Sequence, residues 1–235
     1  MRPTVLLWDI DGTLIHGAGA GRRAIERTFE RRFGRFDVLA FPFDGMTDPI
    51  IMRQGLAGLG MSPAEIDKAM APTLRDYLNV LADVCAEPKT FRLHAGIEAA
   101  LALVAGRNKF AVGLGTGNVE QGARLKLAPL GINEHFAFGG YGSDHEERPR
   151  LIAIGADRGA ARLGLPRAEC RVVIIGDTPK DIAAAQAIGA ESIGVATGSH
   201  PREALAALGA TFAFADLTDP SAATALLEGK AARPS

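Results

Sequence analysis

The chain has 235 residues, of which 47% are hydrophobic and 6% aromatic, and its formal net charge is −1. This length fits one domain, or one domain that carries a sizeable insertion. A nearly neutral chain without a basic stripe argues against nucleic acid as the main partner, and no apolar run is long enough to cross a bilayer. We therefore expect neither nucleic acid nor a membrane among its partners.

The N-terminal residues and the cysteines favour a cytoplasmic location. The start, MRPTVLLWDID, lacks a small-residue cleavage site and is not expected to act as a signal peptide. Cys85 and Cys170 are far apart and do not have the CxxC spacing of a zinc site or a redox motif. We expect both to be buried apolar side chains in a reducing compartment.

Short apolar runs that end in Gly or Asp predict β-strands along most of the chain. They are too short for helices and are rich in Val, Ile and Phe. In chain order they are TVLLWD (4–9), FAVGLGTG (110–117), FAFGG (136–140), RVVIIGD (171–177), SIGVATG (192–198) and the weaker TFAFAD (211–216). Stretches rich in Ala and Leu with helical spacing lie between them. This alternation predicts an α/β fold, a Rossmann-like doubly wound parallel sheet.

Residues 16–92 interrupt this alternation because no convincing strand occurs there. The pattern predicts helices over 21–33, 49–59 and 62–84, the last interrupted near Pro72. We interpret residues 16–92 as an all-helical domain inserted behind the first strand. Residues 1–15 and 93–235 then form the core domain.

The first predicted strand delivers two carboxylates, Asp9 and Asp11, to its carboxyl end. Side chains two residues apart on a strand point the same way, so the two anions are expected to face one another. At about 4 Å, like charges repel by roughly 1 kcal/mol in water and 4 kcal/mol at a protein-like dielectric. The pair therefore needs a cationic partner.

Polar residues also follow two other strands, and ligands of such sheets bind beyond the carboxyl ends of the strands. The second run ends in Thr116, Gly117 and Asn118, and GDTPKD (176–181) brings Asp177 and Asp181. Carboxylates that converge from two strands suit a cation with oxygen ligands, which indicates Mg²⁺. Free N–H groups at the start of the helix after Thr116 suit a phosphate.

Each of these elements also has a purely structural explanation. The Asp11-Gly12 pair is a turn signal, and Thr116 to Asn118 is a possible helix start. In TPKD, Thr178 and Asp181 fit the two ends of a capping box, so Asp181 either helps the metal site or only caps a helix. Asp177 has no such local role.

The three motifs together resemble those of the haloacid dehalogenase superfamily of phosphohydrolases. DIDGTL is similar to its first motif, GTGN to its second and GDTPKD to its fourth, and the helical insertion lies where members with an alpha-helical cap carry it. Phosphoglycolate phosphatase-like members have a substrate-facing cap loop similar to residues 45–48. In this chain Thr47 or Asp48 is alternatively only the N-cap of a helix.

The resemblance implies roles for individual residues. Asp9 is the expected nucleophile that forms an aspartyl-phosphate, and Asp11 the expected general acid–base. Mg²⁺ is expected to bind the Asp9 carboxylate, the backbone carbonyl of Asp11 and Asp177. Thr116, with Gly117 and Asn118, is expected to bind the phosphoryl group. An acid at position 11 favours phosphate ester hydrolysis over dehalogenation or phosphonate cleavage.

The third motif departs from the family pattern, because no lysine follows the third strand of the core. The best substitute is Arg148, just before Pro149 where a helix can begin. Arg150 is the rival, and a surface role for both is an alternative. A guanidinium keeps its charge and bridges two oxygens, so Arg148 would link Asp9 to the phosphate.

The sequence thus predicts a cytoplasmic, Mg²⁺-dependent phosphatase for a small phosphorylated metabolite. Two alternatives stay open. A phosphosugar mutase would share every core residue and differ in its cap contacts. A phospho-accepting regulatory or binding protein also gathers acids and Thr around Mg²⁺, although its chain is usually shorter and lacks an acid two residues beyond the acceptor. The substrate and the oligomeric state do not follow from the sequence.

Overall fold

The computed structural model describes residues 2–87 and 91–229. Six parallel strands form one sheet in the order β5-β4-β1-β6-β7-β8, and two shorter strands, β2 and β3, pair antiparallel. The strands are β1 (Thr4–Trp8), β2 (Ile15–His16), β3 (Arg92–Leu93), β4 (Phe110–Thr116), β5 (Gly139–Tyr141), β6 (Arg171–Gly176), β7 (Glu191–Val195) and β8 (Phe212–Phe214). This is the predicted α/β, Rossmann-like parallel sheet.

Nine α-helices accompany the strands within the described residues. They are α1 (Ala20–Phe33), α2 (Asp48–Gly58), α3 (Pro63–Cys85), α4 (Ile97–Val104), α5 (Glu120–Leu127), α6 (Arg148–Arg162), α7 (Pro179–Ala187), α8 (Arg202–Ala207) and α9 (Ala222–Leu227). No described helix is both long enough and apolar enough to span a membrane. The cytoplasmic location stays a prediction.

The sheet is covered by helices on both faces, and β1 illustrates how its sequence permits this. Leu6 and Trp8 point into a cluster with α4, α5 and α9, whereas Val5 and Leu7 point into a second cluster with α6 and α7. Every β1 side chain is buried. A strand that is buried throughout and apolar at nearly every position is typical of the middle of a parallel sheet.

Helices α1, α2 and α3 form the cap and have a hydrophobic cluster of their own. Phe29, Met52, Tyr77 and Leu81 are fully buried within it. Val119, at the start of α5, belongs to the same cluster, so the cap packs directly on the core. The region is helical as predicted, while the division of the chain at residues 16–92 stays a prediction.

Three details of the predicted elements were wrong. Helix α3 runs uninterrupted through Pro72, because its capping box at Ser62 and its buried face outweigh the roughly 3 kcal/mol cost of an interior proline. The run FAFGG pairs with the sheet only from Gly139, since Phe136 and Phe138 serve as buried anchors before the strand. The short pair β2–β3 was not predicted, because two-residue strands carry no periodic signal.

Candidate active site

Asp9 and Asp11 lie at the carboxyl end of β1, but only Asp9 continues the strand. The Asp9 N–H donates to the carbonyl of Ile175 on the neighbouring strand at 2.9 Å. The chain then turns, and the carbonyl of Ile10 accepts hydrogen bonds from the backbone N–H groups of residues 13–15. Asp11 therefore lies in a turn, and the expectation that strand spacing orients both carboxylates is wrong for it.

Each of the two acids has its own cation, which offsets their mutual repulsion. A terminal guanidinium nitrogen of Arg148 lies 2.8 Å from Asp9 Oδ2. The ammonium nitrogen of Lys126 lies 2.6 Å from Asp11 Oδ2. Both cations are buried, with 6% and 3% of their side chains exposed. The site thus has two separate ion pairs with buried cations, of which the sequence had predicted one.

Arg148 begins helix α6 and connects Asp9 to a second carboxylate. Its Nε and a terminal nitrogen donate to Asp181 Oδ1 at 3.1 and 2.5 Å, and another terminal nitrogen donates to the Gly45 carbonyl of the cap at 3.3 Å. Arg150, the rival candidate, is exposed and pairs with Glu147. Arg148 is therefore the arginine that the fold directs into the site.

Asp177 lies at the end of β6, enclosed by backbone. Thr13 donates its hydroxyl to Asp177 Oδ1 at 2.7 Å, and a Cβ on Gly12 or Gly198 would lie 2.4 or 1.8 Å from Oδ2. Burial raises the pKa of Asp177 to about 8, with further contributions from the carboxylates of Asp181 and Asp9. This carboxyl group is therefore held in one position, and the positive charge around it is too small to keep its pKa at the ordinary value for an aspartate.

Carboxylate oxygens of Asp9, Asp177 and Asp181 lie within 4.8 Å of one another. Burial also raises the pKa of Asp9 to about 6, in spite of Arg148. Hard carboxylate oxygens in this number and spacing fit Mg²⁺, which would hold Asp9 and Asp177 as anions.

Asp181 has other bonds: its Oδ2 accepts the Thr178 N–H at 3.1 Å and hydroxyl at 2.7 Å, and its Oδ1 accepts from Arg148. Asp181 therefore caps α7 and orients Arg148.

Thr116, Gly117 and Asn118 follow β4 and lie beside the acids. The Asn118 amide nitrogen donates to Thr116 Oγ1 at 2.9 Å and to Asp11 Oδ2 at 3.0 Å, and its oxygen accepts from Lys126 at 2.6 Å. Gly117 is packed so closely that a Cβ would lie 2.3 Å from the carbonyl oxygen of Met46 in the cap. The second motif thus connects the acid pair to the cap.

The loop of residues 43–48 closes the cap onto the core. Thr47 is the N-cap of α2, and its hydroxyl also donates to the Glu146 carbonyl at 3.0 Å. Asp48 is buried; its N–H donates to the Gly117 carbonyl at 2.8 Å, and its Oδ2 accepts the Val119 N–H at 2.9 Å. The N-cap role of Thr47 is thus confirmed, and other residues of the loop line the cavity; a substrate-facing role of the loop stays a prediction.

Comparison with known proteins identifies the family. The model of the haloacid dehalogenase-like hydrolases matches residues 3–189. The chain belongs to this family. No curated protein sequence matches the chain significantly.

Three solved structures share the fold of this haloacid dehalogenase-like hydrolase at low sequence identity. A hydrolase from Pseudomonas syringae is 20% identical, with a TM-score of 0.67 over 92% of this chain and 95% of that one. A predicted phosphoglycolate phosphatase from Haemophilus somnus is 16% identical, with a TM-score of 0.67 over 93% and 96%. CbbY from Rhodobacter sphaeroides, solved in complex with phosphate, is 19% identical, with a TM-score of 0.67 over 93% and 96%.

The hydrolase's site opens into a cavity of about 250 Å³ between the core and the cap. The core side contributes the polar groups, Asp9, Asp11, Thr116, Asn118, Lys126, Arg148 and Asp177. The cap side is mostly apolar, with Ile25, Phe43, Met46 and Ile51, but also carries Arg22 and Asp48. The Arg22 guanidinium stacks on the Phe43 ring at 3.8 Å and donates to the Phe41 carbonyl. The cavity is small, and most of its charged side chains come from the core side.

Lys126 was not predicted from the sequence, and for Asp48 the sequence predicted a place in the cap loop or at a helix N-cap but not its contact with α5. For Lys126 a signal was present: Ala123 and Leu127, on either side of it, lie on the buried face of α5, and a lysine on that face needs a partner. Asp48 has no such signal, because an acid in the first turn of a helix is ordinary. Only the tertiary fold brings it to α5.

Proposed function

We propose that this protein is a Mg²⁺-dependent phosphatase that hydrolyses a small phosphate monoester through an aspartyl-phosphate on Asp9. The observation that carries the proposal is the Asp9 carboxylate itself. It is buried at the end of the central strand, paired with Arg148, within reach of Asp177, and it lines the cavity between the core and the cap. A carboxylate that only stabilised the fold would have no need of a cavity in front of it.

In the first step, an Asp9 oxygen attacks the phosphorus of the ester. A bond forms between Asp9 and phosphorus, and the bond between phosphorus and the ester oxygen breaks. Asp11, whose side chain is 48% exposed and lines the cavity, gives a proton to the leaving oxygen. The products of this step are the aspartyl-phosphate and the free alcohol.

In the second step, water attacks the phosphorus of the aspartyl-phosphate. Asp11, now a carboxylate, accepts a proton from this water, and the bond between phosphorus and Asp9 breaks. Inorganic phosphate leaves, and both acids return to their starting state. The ion pair with Lys126 outweighs burial and lowers the pKa of Asp11, which favours the carboxylate of this step over the protonated form that the first step requires.

Charge on the transferred phosphoryl group is balanced by several residues. We propose that the Thr116 hydroxyl and the backbone N–H groups of Gly117 and Asn118 donate to its oxygens, and that Arg148 supplies a buried positive charge. Asp9, Asp177 and the Asp11 carbonyl would hold Mg²⁺, which when bound neutralises phosphate charge and fixes its orientation. The cavity of about 250 Å³ suits a small metabolite with an apolar or short organic part.

A phosphatase screen tests the proposal. The purified protein is incubated with a panel of phosphorylated metabolites in Mg²⁺, and inorganic phosphate is measured, with Asp9→Asn as the matched control. We expect phosphate release from at least one ester by the wild type and none by the variant. Absence of release across the panel contradicts the proposal. An isomerised sugar phosphate formed only with a bisphosphate primer would instead identify a mutase.

A further inference from the structure

Lys126 is a buried cation whose only stated part in the proposed reaction is its effect on the pKa of Asp11. It lies in the last turn of α5, and only 3% of its side chain is exposed. Burying an ammonium group is costly unless it is paired and hydrogen-bonded. Its nitrogen donates to Asp11 Oδ2 and to Asn118 Oδ1, each at 2.6 Å. The ammonium group therefore forms its ion pair with Asp11, and the buried carboxylate of Asp48 also interacts with its charge.

The contacts of Asp11 are arranged on one side of its carboxylate. Lys126 at 2.6 Å and the Asn118 amide nitrogen at 3.0 Å both donate to Oδ2. Within residues 2–87 and 91–229, no hydrogen bond to Oδ1 is formed. Because Asp11 lies in a turn and its side chain is 48% exposed, it would otherwise occupy several rotamers. The two donors fix one oxygen and leave the other free for a proton.

The cap restricts Lys126 from the other side. A Cβ on Gly21, in the first turn of α1, would lie 2.8 Å from the lysine nitrogen. There is thus no space for a larger head group between α1 and Asp11. A substitution of Gly21 by alanine would therefore displace the lysine head group without changing a core residue.

We propose that Lys126 is the positioning residue that holds Asp11 for proton transfer to the leaving oxygen. The inference rests on the proposed phosphatase function and adds a residue to it. Lys126 acts through Asp11, and it needs no contact with the substrate. An ion pair with only a structural role would support the fold and would affect all substrates alike.

The leaving group distinguishes these roles. A p-nitrophenolate leaves without a proton, whereas an alkoxide requires one, so loss of Asp11 orientation slows only the release of the alkoxide. The ratio kcat/KM reports this first step, since release of the alcohol precedes hydrolysis of the aspartyl-phosphate. Any fall in kcat/KM that is larger for an alkyl phosphate than for p-nitrophenyl phosphate therefore measures the positioning.

The experiment compares Lys126→Met with the wild type on both esters in Mg²⁺. We expect kcat/KM for the alkyl phosphate to fall about 100-fold, toward the level of Asp11→Asn, and that for p-nitrophenyl phosphate to fall less than about 10-fold. The control is Arg124→Met, which removes another cation of the same helix, one that donates to Tyr141 and the Phe136 carbonyl. This control should leave the ratio between the esters unchanged.

Gly21→Ala keeps the experiment decisive if Lys126→Met fails to fold. Alanine suits a helix better than glycine, so the melting temperature should not fall, while the ratio between the esters shifts in the same direction by a smaller factor. Equal losses of kcat/KM on both esters in Lys126→Met would overturn the inference and leave the proposed function standing. If the lysine variant is unfolded, an unchanged ratio between the esters in Gly21→Ala would do the same. A wild type that hydrolyses neither ester overturns the proposed function and the inference together.

Discussion

Arg148 is the residue whose removal should perturb the site most. It is the buried cation between Asp9 and Asp181. In Arg148→Met these two acids would lose their buried positive charge, with a third acid, Asp177, nearby. Removing one partner of a buried ion pair costs about 3–5 kcal/mol of unfolding free energy. For a chain of this size each kcal/mol lowers Tm by about 2–4 °C. We therefore expect Arg148→Met to lower Tm by roughly 6–20 °C in excess chelator.

Thermal denaturation followed by circular dichroism, with chelator and then with Mg²⁺, measures this effect. Added Mg²⁺ should recover part of the loss, because a cation that binds only the folded acids stabilises the folded state. Arg150→Met is the matched control, since Arg150 is exposed and pairs only with Glu147, and it should change stability by less than about 0.5 kcal/mol.

A double-mutant cycle isolates the charge effect from the loss of packing. Asp181→Asn keeps an oxygen for the Thr178 N–H but removes one of the negative charges that Arg148 balances. The double variant should therefore be less destabilised than the sum of the two single variants. Strict additivity, or an Arg148→Met protein that melts within about 2 °C of the wild type in chelator, would refute the reasoning.

The other predictions concern the remaining acids and the metal. Asp9→Asn should abolish both turnover and the mass increase of a trapped phosphoenzyme, because an amide does not attack phosphorus; a phosphorylated variant would contradict this. Asp11→Asn should slow hydrolysis of alkyl phosphates more than that of p-nitrophenyl phosphate, and equal losses would exclude the acid role. Turnover should require Mg²⁺ and be suppressed by Ca²⁺, which takes more and looser oxygen ligands; full activity in chelator would exclude a metal requirement. Burial raises the pKa of Asp48 to about 6 from 3.8, so the folded state loses stability as the pH rises through this range. Relative to Asp48→Asn, the wild type should lose up to about 3 kcal/mol between about pH 4 and about pH 7 in urea unfolding, and parallel pH profiles would contradict it.

The parts of the fold that were predicted correctly are those with a local, repeated signal. Buried strands such as TVLLW are apolar at nearly every position, and the helices between them carry a clear apolar face. The positions of the motifs at strand ends follow from the topology of a parallel sheet, so Asp9 and Asp177 were predicted to converge. Pro72 misled the prediction because the penalty for an interior proline is local, whereas the packing that outweighs it is tertiary.

The site residues that were missed depend on contacts far apart in sequence. Lys126 lies 115 residues from Asp11, and Asp48 lies 71 residues from Val119, so no local pattern connects either pair. The turn at Ile10 likewise takes Asp11 out of the strand, so strand spacing did not predict the direction of its side chain. Composition and periodicity indicate which side chains are buried, but only the packed structure indicates which buried charge faces which.

The paired strands β2 and β3 bring the chain back to the point at which it left the core. Ile15 lies opposite Leu93 and His16 opposite Arg92, so the intervening segment begins and ends on adjacent backbones. The free energy of closing such a loop rises by only about 0.6 kcal/mol for each doubling of its length. A longer, shorter or entirely different segment between these two anchor points would thus leave the register of the large sheet intact. The part of the molecule that surrounds the organic end of a ligand is therefore free to diverge through insertion and replacement, while the part that holds the acids remains the same.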